Sequence, residues 1–164
     1  MKVLIIGSGG REHALAWKSA QDKDVKKVFV CPGNAGTAIE EKVENINLNI
    51  KDFPSIKLFC KKELIDLVII GPEQPLVEGI SDYLSQNDIP TFGPSKAASR
   101  LEGSKTFSKD FFKKYGIPSA EYKSFVDFDD AKNHLSKISY PTVVKADGLA
   151  AGKGVIICQN YDEG

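Results

Sequence analysis

The sequence predicts an α/β fold: a parallel sheet covered by helices, followed by a second domain of different build. Three observations carry this. Strand-like and helix-like segments alternate as far as Phe92, glycine or proline turns close the strand-like segments, and beyond Ser95 the alternation gives way to consecutive helices.

Val3–Ile6 is a short β-branched run ending at Gly7, the signature of a buried parallel strand. Arg11–Gln21 follows with the spacing of an amphipathic helix. Val28–Val30 is a second strand, stopped by Pro32-Gly33-Asn34, and Val43–Leu48 alternates as a third. Asp52–Lys62 places Phe53, Ile56, Phe59 and Cys60 at helical spacing, with Asp52 as N-cap before Pro54. Asp66–Ile70 is a fourth strand ended by Gly71-Pro72, Leu76–Leu84 is helical, and Pro90–Phe92 is a fifth strand. In the second domain Ser95–Leu101 and Ser104–Tyr115 read as helices, the latter stopped by Gly116-Ile117-Pro118. Glu121–Phe125 reads as a strand, Asp127 opens a helix to Lys137, and Thr142–Ala146 pairs with Gly154–Cys158 across a glycine-rich loop.

Composition narrows the class. The 164 residues are 41% hydrophobic and 27% charged, the balance of a globular domain with a core. Formal net charge is zero, so no long-range field draws the chain to nucleic acid or an anionic membrane. Arg11 and Arg100 are the only arginines, which leaves lysines, backbone amides or these two for any phosphate. Cys31, Cys60 and Cys158 are odd in number and far apart, which excludes a disulfide framework or a Cys-x-x-Cys metal site and suits a reducing compartment. No apolar run approaches the roughly 20 residues of a membrane span, and the expectation is a cytoplasmic protein.

Ligands of parallel sheets sit beyond the carboxyl ends of the strands, so three loops are expected to converge on one crevice. In Gly7-Ser8-Gly9-Gly10-Arg11-Glu12-His13, glycines let the backbone approach an anion and the next helix offers unpaired amides. A dinucleotide fingerprint would put glycine where Glu12 stands, and no ribose-binding acid ends the second strand. The same loop also reads as a plain tight turn, and His13 as either a packed residue or a ligand contact. Gly71-Pro72-Glu73-Gln74-Pro75 fixes a rigid corner in which Glu73 either meets a ligand or caps the next helix. Pro32-Gly33-Asn34-Ala35-Gly36-Thr37 brings Asn34 and Thr37 as hydrogen-bonding groups, or is a plain loop.

The second domain holds Val143-Val144-Lys145-Ala146-Asp147-Gly148-Leu149-Ala150-Ala151-Gly152-Lys153-Gly154-Val155. A lysine on a buried strand needs an anionic partner, because an unpaired buried ammonium is costly. Gly152-Lys153-Gly154 then reads as a flap able to fold over phosphates with amides and a point charge. Lys105, near the start of a helix, reads as solvated by default and as a third phosphate ligand beside these two.

Together these segments resemble the ATP-grasp superfamily. The set Gly-Ser-Gly-Gly-Arg-Glu-His, Pro-Gly-Asn-Ala-Gly, Gly-Pro-Glu-Gln-Pro-Leu and Lys-Ala-Asp-Gly-Leu-Ala-Ala-Gly-Lys-Gly-Val is similar, in that order, to the glycinamide ribonucleotide synthetase family. The resemblance implies a Rossmann-like domain over residues 1–100 and the beginning of an ATP-grasp domain over 101–164. It implies a monomeric ligase of purine biosynthesis that joins glycine to 5-phosphoribosylamine through glycyl phosphate, using ATP with Mg2+ or Mn2+. Substrate contacts are then expected at Gly9, Gly10, Arg11, Glu12, Asn34, Thr37, Gly71, Pro72 and Glu73, and ATP contacts at Lys105, Lys145, Asp147, Gly148, Gly152, Lys153 and Gly154. Members of the family are more than twice this long, so the chain is expected to be an inactive amino-terminal piece, with metal ligands beyond Gly164. Other readings are another ATP-grasp carboxylate ligase, or a nucleotide- or sugar-phosphate-binding piece without chemistry.

Overall fold

The computed structural model describes residues 1–150 and 152–164; Ala151 of the glycine-rich segment lies outside the described residues. The chain folds as two compact units, Met1–Ser99 and Arg100–Gly164.

The first unit is a five-stranded parallel sheet in the order β3-β2-β1-β4-β5. Its strands are β1 (Lys2–Gly7), β2 (Lys27–Pro32), β3 (Val43–Asn45), β4 (Leu67–Ile70) and β5 (Thr91–Phe92). Side chains alternate between faces along each strand. Leu4 and Ile6 of β1 join Phe29, Val68 and Ile70 in a core roofed by Ile56 and Cys60 of helix α2 (Phe53–Glu63). Leu76 of α3 (Glu73–Glu78) and Ile80 and Leu84 of α4 (Ile80–Ser85) complete that roof. Val3 and Ile5 face the other way, packing with Val28, Val30 and Ala16 of α1 (Gly10–Ala20). Both faces of β1 are therefore dry, which is why its run is uniformly apolar. Full burial of one such side chain contributes roughly 1.5–3 kcal/mol.

Successive strands run from β1 outward to β2 and β3, then return to the other side of β1 as β4 and β5. Strand order thus reverses beside β1, and the crevice at such a reversal is where parallel sheets hold ligands. The turns after β1, β2 and β4 are neighbours there.

Several local expectations change. The helix over Leu76–Leu84 is two short helices, because Gly79 adopts φ 104° and breaks the ladder. The third strand ends at Asn45, although the Ile46 amide still donates to the Val30 carbonyl at 2.9 Å, and Ile46, Leu48 and Ile50 pack against the core. Asp52 caps α2 as its sequence suggests, accepting the Ser55 amide at 3.1 Å.

In the second unit, α6 (Lys105–Lys114) follows α5 (Lys96–Gly103), which begins in the first unit. Then come α7 (Phe128–Leu135) and an antiparallel ribbon of β6 (Thr142–Lys145) and β7 (Val155–Cys158), with Lys145 opposite Val155. Glu121–Phe125 is not a strand: its backbone has no ladder partner among the described residues, and the Lys109 ammonium instead ties the segment just before it by donating to the Ala120 carbonyl at 2.8 Å. The ribbon is not a buried strand pair. Val143 is 49% and Ile157 63% exposed, and among the described residues no layer covers that face.

Candidate functional site

The first unit brings its three loops together by direct bonds. The Asn34 side-chain amide donates to the Ser8 carbonyl at 2.9 Å, joining the turn after β2 to the turn after β1. The Arg11 guanidinium donates through both terminal nitrogens to Glu73 Oε1, each at 3.1 Å, joining the start of α1 to the start of α3. The Gly71 amide donates to the Ile6 carbonyl at 3.0 Å, extending the β1–β4 ladder into the turn.

Arg11 is held by two carboxylates, since its Nε donates to Glu12 Oε1 at 3.1 Å. A guanidinium has five N–H donors. Three are engaged here, so two remain for a ligand. The hydrogen bonds to Glu73 and then Glu12 raise the already high pKa of Arg11. The Glu73 carboxyl lies below the usual carboxylate range, first through its own backbone amide at the start of α3 and then through Arg11. Glu73 sits in the first turn of α3, where a negative charge suits the amino-terminal end of a helix, and its carboxylate is paired with Arg11 without forming a side-chain N-cap bond.

The amides of Gly10, Arg11 and Glu12 open α1 and have no acceptor within the helix. Gly9 and Gly10 are exposed, so an anion can approach them.

Glu12 and Thr37, both expected to touch substrate, are instead buried at 4% and 0% exposure. Glu12 Oε2 accepts the Gly9 amide at 2.7 Å, the return arm of a capping box. The Thr37 hydroxyl accepts the Asn34 amide at 2.8 Å and donates to Asn45 Oδ1 at 2.6 Å. The Asn45 amide group donates to the Asn34 carbonyl at 2.7 Å. Asn34 Oδ1 accepts the Thr37 amide at 3.0 Å, so Asn34 also serves chiefly to shape its own turn. Asn45 was not singled out from the sequence; the one signal available was a polar residue facing inward at a strand end. His13 pairs with Glu40, Nε2 to Oε1 at 2.8 Å, and its ring packs beneath Gly36.

In the second unit Asp147 plays a part its motif did not announce. Its Oδ1 accepts the backbone amides of Lys105 at 2.6 Å and Thr106 at 3.3 Å, and its Oδ2 accepts the Ser104 hydroxyl at 3.0 Å. Ser104 Oγ in turn accepts the Phe107 amide at 3.1 Å. A residue of the glycine-rich loop thus completes the N-terminal cap of α6. Partial desolvation raises the Asp147 pKa, but the bonds from Thr106, Ser104, Gly148 and Lys105 together outweigh it and hold the carboxyl below its ordinary value. Lys105 Nζ donates to the Gly148 carbonyl at 2.8 Å, so Lys105, Asp147 and Gly148 form one cluster. Lys145, Gly152 and Lys153 are exposed; Lys145 is not the buried lysine its strand suggested, because the ribbon is uncovered. Gly154 closes the loop, its carbonyl accepting the Ala146 amide at 2.9 Å. A groove of about 400 Å³ beside Lys109, Lys113 and Tyr122 is lined by none of the expected nucleotide contacts.

Against known proteins, residues 1–102 match the family model described as phosphoribosylglycinamide synthetase, N domain. The chain belongs to the phosphoribosylglycinamide synthetase family. Residues 103–164 match the ATP-grasp (A) domain of the same synthetase. A phosphoribosylamine–glycine ligase of Clostridium acetobutylicum is 52% identical over 98% of this chain. The crystal structure of phosphoribosylamine–glycine ligase from Thermotoga maritima covers 99% of the chain at 35% identity with a TM-score of 0.75. A biotin carboxylase complex from Campylobacter jejuni reaches a TM-score of 0.76 at 18% identity, a likeness of fold alone. The chain spans 38% of the length of the Clostridium relative and 37% of the Thermotoga chain. Family membership accounts for the order of the four motifs along the chain. Among the described residues no helix is long and apolar enough to cross a membrane.

Proposed function

We propose that this chain is the sugar-phosphate-binding part, and the opening of the nucleotide-binding part, of an ATP-dependent ligase that joins glycine to 5-phosphoribosylamine. In that reaction the glycine carboxylate takes the γ-phosphoryl group of ATP, giving glycyl phosphate and ADP. The amine of phosphoribosylamine then attacks the acyl carbon and phosphate leaves. The observation that carries the reading is the Arg11–Glu73 bridge across the strand-order reversal.

The bridge offers a donor and an acceptor side by side. Two free guanidinium N–H groups and the first amides of α1 suit a phosphate or sugar oxygen, while Glu73 suits a ribose hydroxyl or the amine. Gly71 and Pro72 hold that carboxylate on a short, stiff turn. Catalysis of this kind rests on placing the amine against the acyl phosphate and on neutralising charge. The exposed ammonium groups of Lys145 and Lys153 supply that charge for nucleotide phosphates, and the Lys105–Asp147–Gly148 cluster sets the base of the loop.

Mg2+ belongs to the full reaction in this reading, yet among the described residues no group of three or more His, Cys, Asp or Glu is gathered to hold a metal. The zero net charge supplies no long-range attraction to nucleic acid or an anionic membrane, which suits small-molecule substrates.

The test is ADP release by the ligase containing this chain. ADP is expected only when glycine and phosphoribosylamine are both supplied for turnover. ADP release driven by bicarbonate and an imidazole ribonucleotide, with no dependence on glycine, would assign the chain to a different ATP-grasp ligase.

A further inference from the structure

Glu12 is the one acidic side chain of the crevice that is fully enclosed. Both of its oxygens are engaged, Oε2 with the Gly9 amide at 2.7 Å and Oε1 with Arg11 Nε at 3.1 Å. Three glycines surround it. A Cβ on Gly9 would lie 2.9 Å from Oε2, one on Gly7 would lie 2.7 Å from Cδ, and one on Gly71 would lie 2.6 Å from Cδ. Gly7 and Gly71 follow the paired residues Ile6 and Ile70 of β1 and β4, so the carboxylate sits in a notch cut across two adjacent strand ends.

We infer that Glu12 is a positioning residue: its buried carboxylate locks the turn after β1 against the turn after β4 and fixes the direction in which Arg11 presents its two free N–H groups. The inference rests on the proposed crevice for its ligand, but its geometry stands apart from that. Arg11 is 58% exposed at its side chain, and an exposed arginine samples many rotamers. Glu73 alone fastens only the tip of the guanidinium. Glu12 fastens Nε, at the root of the planar group, and two anchors on one plane leave it a single orientation. A direct ligand role fits poorly, because the carboxylate is already matched and a second anion beside it would be repelled. Removal of Glu12 leaves the Gly9 amide and Arg11 Nε without their acceptor. The residue that occupies the third-glycine position of a dinucleotide fingerprint is, on this reading, the device that aims the arginine.

The test uses the isotope-labelled chain and three substitutions, with ribose 5-phosphate as probe. In wild type, the Arg11 Nε–H and the Gly9 amide are expected to exchange slowly. In Glu12→Gln, close to isosteric, Arg11 Nε–H exchange is expected to quicken at least tenfold while the amides of β1 keep their protection, which a general loss of structure would not allow. Affinity for ribose 5-phosphate is expected to fall at least tenfold in Glu12→Gln and in Arg11→Ala. In the double variant, Glu12→Gln is expected to add less than twofold to the effect of Arg11→Ala, because Glu12 acts through Arg11. Unchanged Arg11 exchange in Glu12→Gln, or an undiminished Glu12→Gln effect without Arg11, overturns the inference. If wild type ignores ribose 5-phosphate while Glu12→Gln still frees the Arg11 Nε–H, the ligand reading fails and the positioning role stands.

Discussion

Arg11 and Glu73, 62 residues apart in sequence, meet with both terminal guanidinium nitrogens 3.1 Å from a single carboxylate oxygen. The side chains are 58% and 42% exposed, and exposed pairs of this kind contribute about 0–1 kcal/mol to stability. The pair matters as geometry. Arg11→Lys keeps the charge but cannot span Glu12 and Glu73 with a planar fork. Its melting temperature is expected within about 3 °C of wild type, with ribose 5-phosphate affinity at least tenfold weaker by calorimetry. Glu73→Gln is expected to behave likewise.

Gly71 and Gly10 make a contrasting pair. A Cβ at Gly71 would enter the space of the Glu12 carboxylate, whereas one at Gly10 meets nothing within 4 Å. Gly71→Ala is expected to cost about 1–3 kcal/mol, the range for overpacking a filled site. Gly10→Ala is expected to be neutral or to stabilise by up to about 1 kcal/mol, since alanine loses less backbone freedom at the start of a helix. Urea denaturation of the two variants checks both.

Asp147 couples the glycine-rich loop to α6, and its carboxyl titrates below the ordinary value of 3.8. A carboxyl whose folded pKa is depressed adds stability above its unfolded pKa, and that contribution disappears as pH falls through the folded value. The amides of Lys105 and Thr106 are therefore expected to lose exchange protection, corrected for intrinsic rate, as the medium is acidified below the ordinary aspartate range. In Asp147→Asn they are expected to be poorly protected at every pH, without that acid transition.

Burial raises the Cys31 thiol pKa, and burial pushes Cys60 up to about 11. Both thiols are expected to resist a disulfide reagent at pH 8 in the native chain and to react at once in denaturant, as read by released thiolate. Because the folded state holds these protons more tightly, their contribution to stability is full below the ordinary value of 9.0 and is lost as pH climbs toward the raised values.

The sheet was legible because its information is local. Val3–Ile6 is buried on both faces, and Leu67–Ile70 is buried at Val68 and Ile70 and half-buried at Leu67 and Ile69, so their apolar composition alone marks them. The three loops were legible as a set because every parallel strand delivers its following turn to one edge. What each side chain does there was not. Glu12 finds Gly71 and Asp147 finds the α6 amides across long stretches of chain, and no window of sequence contains both partners. Thr37 and Asn34 look like ligand groups because hydroxyls and amides do; only the fold shows that each already has a partner in the other and in Asn45. The apolar neighbours of Lys145 suggest burial, yet a two-stranded ribbon alternates, and Lys145 shares its open side with Val143.

The most direct test of the proposed crevice is an amide-resolved titration of the labelled 164-residue chain with ribose 5-phosphate. Saturable shifts centred on Gly9, Gly10, Arg11, Gly71 and Glu73, absent in Glu73→Ala, are the predicted result. Saturable binding that leaves those residues unmoved and shifts a different surface, or no binding at millimolar sugar phosphate, would contradict it.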